Sequence, residues 1–220
     1  MCSSDLEHVY RAACKSKLAN EVLVATDHRS IYDAVVSFGG NVEMTAESHK
    51  SGTDRMAEVA SRHTADFFVN VQGDEPEIWP EVIDQVIELL AKKADTQVAT
   101  VACPVSQEEV KNPNLVKVVC DASGHALYFS RAMIPHQRDP RQENVPYLGH
   151  IGIYGYRRDF LMRYPTLSPS SLEEIEKLEQ LRVLENGYRI AVGITSYRSR
   201  GIDTPEDYTA FLKRWKKRPL

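Results

Sequence analysis

The chain has 220 residues, 42% hydrophobic and 26% charged, with a formal net charge of −4. That is the composition of a soluble globular protein with one large domain or two small ones, and its slight negative charge gives no electrostatic case for nucleic acid or an anionic membrane as partner. No apolar run approaches the roughly 20 residues that span a bilayer, the opening MCSSDLEHVY carries no secretory signal, and the four cysteines (Cys2, Cys14, Cys103, Cys120) are scattered without a C-x-x-C, as in a reducing cytoplasm.

Taken in order, Asp5–Leu18 predicts a helix, with Ser4-x-x-Glu7 resembling a capping box. Glu21–Thr26 is a strand, His28–Phe38 a helix stopped by Gly39-Gly40, and Asn41–Met44 a short strand. A helix follows from about Thr53 to His63, then the strand Phe67–Val71 and a helix from Pro80 to about Lys92. Gln97–Val105 is an apolar strand, and VKVVCD and HALYFS form a hairpin around Ala122-Ser123-Gly124. After a Pro/Arg-rich loop, about Pro135 to Pro146, LGHIGIYGYR is a strand, Ser171–Asn186 a helix closed by Gly187, Tyr188–Thr195 a strand and Pro205–Lys217 a final helix. Strand and helix alternate up to about residue 105, which implies a mostly parallel sheet covered on both faces. The strand-rich middle, about 116–156, adds an antiparallel excursion. The fold class is therefore α/β, a Rossmann-like three-layer α/β/α sandwich. No G-x-G-x-x-G or G-x-x-x-x-G-K-[ST] is present, which disfavours a dinucleotide-dependent oxidoreductase.

The stretch FFVNVQGDEP ends a core strand on Gln72, Gly73, Asp74 and Glu75. In open α/β sheets ligands bind outside the carboxyl ends of the strands, and a carboxylate there can hold Mg²⁺ beside a nucleotide phosphate. The same residues would also solvate an ordinary βα turn. Asp203, in SRGIDTPEDY, is either a second metal carboxylate or part of a helix entry in which Thr204 caps and Pro205 opens the helix. SHKSGTDR offers Ser51, Gly52 and Thr53 amides at a helix start and the donor fork of Arg55, fit for phosphate or a base edge, or for a simple cap. Strand alternation puts Leu148, His150, Gly152, Tyr154 and Tyr156 on one face and Ile151 and Ile153 on the other. Helical spacing sets Glu179 in an apolar stripe between Ile175 and Val183, with Gln180 beside it; a carboxylate there needs a ligand or an arginine, Arg131 or Arg182. The loop arginines Arg131, Arg138 and Arg141 suit an anionic sugar acid, or simply solvate the loop.

SGTDR, NVQGDEP, NPNLVKVV, ALYFSRAMIP, HIGIYGY, IEKLEQLRVL and GIDTPED occur in this order. Together, from about Leu6 to about Leu212, they resemble the 3-deoxy-manno-octulosonate (Kdo) cytidylyltransferases, or CMP-Kdo synthetases. The resemblance implies a nucleotidyltransferase sandwich in which the anomeric hydroxyl of Kdo attacks the α-phosphorus of CTP, giving CMP-Kdo and pyrophosphate for lipopolysaccharide synthesis. It implies Mg²⁺ on Asp74 and Asp203, cytidine at Ser51, Gly52, Thr53 and Arg55, and the sugar acid at Gln72, Arg138, His150, Tyr154, Glu179 and Gln180. It also implies a cytoplasmic homodimer, with residues 1–220 as one domain and about 116–156 forming a β-rich dimerisation and sugar-binding part. The family's opening strand and its loop I-P-A-R-x-x-S-T-R-L-P-G-K-P have no match in this sequence. An N-terminal truncation is therefore expected, with weak CTP binding and low turnover that a restored N-terminus raises. Alternatives are a cytidylyltransferase for an acylneuraminate or 8-amino-Kdo, or a non-catalytic nucleotide-binding remnant.

Overall fold

The computed structural model describes residues 3–49, 51–73, 75, 77–139, 141 and 145–198. Asp74, Asp203 and the helix expected over Pro205–Lys217 lie outside them. The described elements run α1 (Ser3–Ala13), β1 (Val24–Thr26), α2 (Arg29–Ser37), β2 (Val42–Met44), α3 (Gly52–Arg62), β3 (Phe67–Asn70), α4 (Pro80–Lys92) and β4 (Val98–Val105). They continue with β5 (Lys117–Cys120), β6 (Ala126–Ser130), β7 (Tyr147–Arg157), α5 (Arg158–Arg163), α6 (Ser171–Glu176), α7 (Gln180–Glu185) and β8 (Ile190–Ile194). None of these helices is long and apolar enough to cross a membrane.

β4 organises the molecule. Its residues are apolar on both sides, as a central strand requires. Val98 and Ala102 join a core built with Ala57 and Ala60 of α3, Phe160 and Leu161 of α5 and Leu181 and Val183 of α7. Ala99, Val101 and Cys103 join a second core with Val9 and Ala13 of α1 and Val82, Ile83, Val86 and Leu90 of α4. The two cores are the two faces of one sheet, and the helices on them make the expected three layers.

The antiparallel excursion ends inside the main sheet. β7 pairs with β4 along its length, from Tyr147↔Val105 to Tyr156↔Val98. Its other edge takes β3 at one end, Tyr154↔Asn70, and β5 at the other, Gly149↔Lys117. β8 lies parallel to β4 on the far side. Thus β3, β4, β5 and β8 share one direction, and β7 threads between β3 and β4 against them. The parallel pair β1–β2 forms a sheet of its own.

Two helices depart from expectation. α1 stops at Ala13 rather than Leu18, because Asp84 of α4 captures the next residues: it accepts from the Ser16 hydroxyl at 2.5 Å and from the Lys17 and Leu18 amides at 3.0 Å. The helix expected over Ser171–Asn186 is two helices, broken where Lys177 adopts φ 54°. The break turns Ile175 outward, 76% exposed, and buries Leu178, so Ile175, Glu179 and Val183 form no stripe.

Candidate active site at the carboxyl end of the sheet

The start of α3 lies against the carboxyl end of β3: a β-carbon added at Gly52 would sit 3.6 Å from Asn70 Nδ2. Ser51 is the N-cap, its hydroxyl accepting the Asp54 amide at 3.1 Å. Thr53 is buried and donates to Glu179 Oε2 at 3.2 Å, across 126 residues of sequence. Arg55 turns away from this cluster. It donates to Asp27 Oδ2 at 2.7 Å and to the Thr45 hydroxyl, tying α3 to the ends of β1 and β2.

β7 supplies the floor. Its burial follows the expected alternation, with Leu148, Tyr154 and Tyr156 on the α3/α7 side and Ile151 and Ile153 on the α1/α4 side. A register shift opposite Thr100/Val101 adds two residues to β7, an even number that preserves the facing. The rings of His150 and Tyr154 lie 5.1 Å apart, and a side chain at Gly152 would press on Glu75 Oε1 at 3.2 Å. The Tyr154 hydroxyl is buried and has no hydrogen-bond partner among the described residues. Burial, reinforced by Tyr156 and Glu179, pushes its pKa well above the ordinary phenol value.

Thr100 fixes the chemistry of His150. Its hydroxyl donates to the Ile153 carbonyl at 2.6 Å, so the contact with His150 Nε2 at 2.9 Å must be donated by the ring. Burial lowers the imidazole pKa to about 3. His150 is therefore a neutral Nε2–H imidazole that leaves Nδ1 as an acceptor. Sequence reasoning passed over Thr100; its signal was a single hydroxyl inside the otherwise apolar run VATVACPV.

Glu179 meets neither arginine considered for it. Arg182 pairs with Glu173 at 2.6 Å, and Arg131 donates to the Glu176 carbonyl at 2.9 Å. Glu179 is left to Thr53; the residue keeps exposed surface, yet burial of its carboxyl raises its pKa against the opposing pull of the Thr53 bond. Gln180, next along, is 8% exposed. Gln72 is exposed in the turn after β3, its carbonyl accepting the Glu75 amide at 3.3 Å. Arg138 is exposed on the loop after β6. The structure thus gathers Thr53, His150, Tyr154, Glu179 and Gln180, with Ser51 and Gly52 at the rim, and it leaves Arg55 engaged elsewhere. Among the described residues no group of three or more His, Cys, Asp or Glu could hold a metal ion. The assembled groups are donors and acceptors with unused capacity, suited to a polyhydroxylated ligand.

Residues 6–190 match the family model described as cytidylyltransferase. The chain is 47% identical to 3-deoxy-manno-octulosonate cytidylyltransferase of Geotalea uraniireducens, over 96% of this chain and 88% of that protein. It is 48% identical to the enzyme of the same name from Fusobacterium nucleatum, over 92% and 82%. It superposes with TM-score 0.93 and 38% identity on a solved structure of CMP:2-keto-3-deoxy-manno-octonic acid synthetase complexed with CTP, covering 97% of this chain and 88% of that one. On these matches the chain belongs to the 3-deoxy-manno-octulosonate cytidylyltransferase family of CTP-dependent nucleotidyltransferases.

Proposed function

We propose that this protein transfers the cytidylyl group of CTP to Kdo, making CMP-Kdo and pyrophosphate for lipopolysaccharide synthesis. The anomeric oxygen bonds to the α-phosphorus as the bond to the β-phosphate's bridging oxygen breaks, and the hydroxyl proton is released. The observation that carries this reading is the orphaned Tyr154 hydroxyl, buried beside the neutral His150. An unpaired buried hydroxyl costs about 1–3 kcal/mol, and a sugar hydroxyl would repair it.

Ser51, Gly52 and Thr53 take the cytidine at the head of the 11-residue helix α3, and Arg55 serves that site through its hold on Asp27 and Thr45. Arg138 holds the Kdo carboxylate. Gln72, His150, Tyr154, Glu179 and Gln180 read the hydroxyls, orienting the attacking one toward phosphorus. Asp74 and Asp203 offer the hard oxygen ligands that Mg²⁺ prefers, and the ion they would hold would neutralise triphosphate charge and lower the hydroxyl's pKa. The protein acts in the cytoplasm as one domain and as a homodimer through the β-rich segment 116–156.

Side-by-side turnover of CTP with Kdo, 8-amino-Kdo and an acylneuraminate tests the substrate. Kdo is expected to lead in kcat/KM by about tenfold or more; a higher value on either other acid overturns the assignment. Tyr154→Phe is expected to leave the fold as stable or slightly more so, because it deletes an unsatisfied group, while raising the KM for Kdo about tenfold. Thermal unfolding and steady-state kinetics on one preparation check both halves, and an unchanged KM removes Tyr154 from the sugar site.

A further inference from the structure

A fully buried lysine, Lys117, and a half-buried glutamate, Glu176, converge on the backbone of one residue, Arg131, where β6 passes into the loop that carries Arg138. The Arg131 amide donates to Glu176 Oε2 at 3.0 Å, and its carbonyl accepts from Lys117 Nζ at 2.5 Å. Lys117 is 0% exposed, and its other two protons go to the carbonyls of Leu115 at 2.7 Å and Asn112 at 3.0 Å. Glu176 also accepts from the Ser130 hydroxyl at 2.6 Å, while its own carbonyl receives Arg131 Nε at 2.9 Å. Burial opposes the charge on both side chains. Glu176 nonetheless stays below the usual carboxylate range, because the Arg131 amide and Ser130 outweigh that penalty. Lys117 is pulled down by burial, against the attraction of Glu176.

Burying a lysine and a glutamate is a poor route to stability, since desolvation consumes most of their attraction. What such a pair supplies is a fixed geometry. Glu176 is the last residue of α6; the left-handed Lys177 follows it, and Glu179 comes three positions after. The Arg131 backbone therefore joins two segments that approach the site from different parts of the chain. One is the loop leading to Arg138, and the other is the helix break leading to Glu179 and Gln180.

We propose that Lys117 and Glu176 are positioning residues that clamp the backbone of Arg131 and so set the distance between the Arg138 loop and the Glu179–Gln180 turn, and with it the affinity for the sugar acid. This rests on the reading of those residues as the sugar-acid site. The nucleotide site on α3 touches the clamped turn through the Thr53–Glu179 bond, and contacts from Arg55 to Asp27 and Thr45 hold it independently of the clamp.

Glu176→Gln keeps the shape and removes the charge. It is expected to raise the KM for Kdo about tenfold, a loss of about 1.4 kcal/mol, with the KM for CTP within about twofold. Hydrogen exchange is expected to quicken in 131–141 and 177–180 and to stay unchanged in β4. Lys117→Met should show the same split, and the double variant should lose no more than the worse single one, because both act through one residue. If Lys117→Met does not fold, Ser130→Ala, which removes one donor to Glu176, gives a milder version of the same split. Equal rises in both KM values, or additive losses in the double variant, would reduce the pair to a structural role and overturn the proposal. Unchanged exchange in 131–141 would overturn it as well. Arg138→Ala separates this from the underlying reading: an unaltered KM for Kdo would remove the loop from the sugar site, while exchange still decides whether the clamp exists.

Discussion

Asp74→Asn and Asp203→Asn are each expected to lower CTP turnover by about 10²–10³. Asparagine keeps the size of aspartate and loses the charge. Nucleotidyl transfer asks little covalent chemistry of a protein, so neutralising and aligning the triphosphate carries most of the rate. Both residues were identified by sequence, one at the end of NVQGDEP and one in GIDTPED, and both lie outside the described residues. Pyrophosphate release at saturating CTP, Kdo and magnesium measures the effect. The KM for Kdo should hold nearly constant, because the contacts proposed for it, Gln72, Arg138, His150, Tyr154, Glu179 and Gln180, are side chains other than these two aspartates. Near-normal turnover in either variant would take that residue out of the metal role.

The second large effect is on stability, through His150. Its pKa in the folded protein is about 3, depressed by burial, against an ordinary value of 6.5. The unfolded chain therefore binds a proton that the folded chain refuses. The resulting stability is complete above pH 6.5 and is lost as pH falls from there toward 3, at up to about 1.4 kcal/mol per pH unit. Between pH 6.5 and 5 Glu43 and Glu58 contribute little, since hydrogen bonds from His63 and from the Ala46 amide hold them below the usual carboxylate range, while Glu179, raised by burial, works against the His150 slope. Urea unfolding across that window should show a slope that His150→Gln flattens. The glutamine can still donate to Thr100 but has no proton to gain. An equal slope in the variant would mean that His150 is accessible enough to protonate in place.

Much of the framework was legible because it rests on local chemistry. Pro80 and Lys92 mark the two ends of α4 as expected. The alternation in LGHIGIYGYR assigned Leu148, Tyr154 and Tyr156 to one face of β7 and Ile151 and Ile153 to the other, as found, since period 2 survives a two-residue bulge. What the sequence hid is non-local. Nothing in Ser171–Asn186 announces a break; it arises because Glu176 is drawn to Ser130 and Arg131, some 45 residues upstream. Asp84 likewise ends α1 from 68 residues away. The insertion of β7 between β3 and β4 is a choice of pairing partner, which periodicity does not encode. At the site, residue types pointed to His150, Tyr154 and Glu179, but Thr100 and the Thr53–Glu179 bond required the fold. Arg55 shows the converse: a guanidinium beside a helix start reads as a ligand contact, and here it spends its donors on Asp27 and Thr45.

The proposed chemistry requires two acids, distant in sequence, to share a divalent cation at the nucleotide. Anomalous diffraction at the manganese edge, from crystals grown with Mn²⁺ and CTP, locates that ion independently of turnover. A manganese peak within coordination distance of carboxylate oxygens from both Asp74 and Asp203 is the expected result. Manganese bound by other residues, or the two carboxylates found on opposite sides of the molecule, would contradict it.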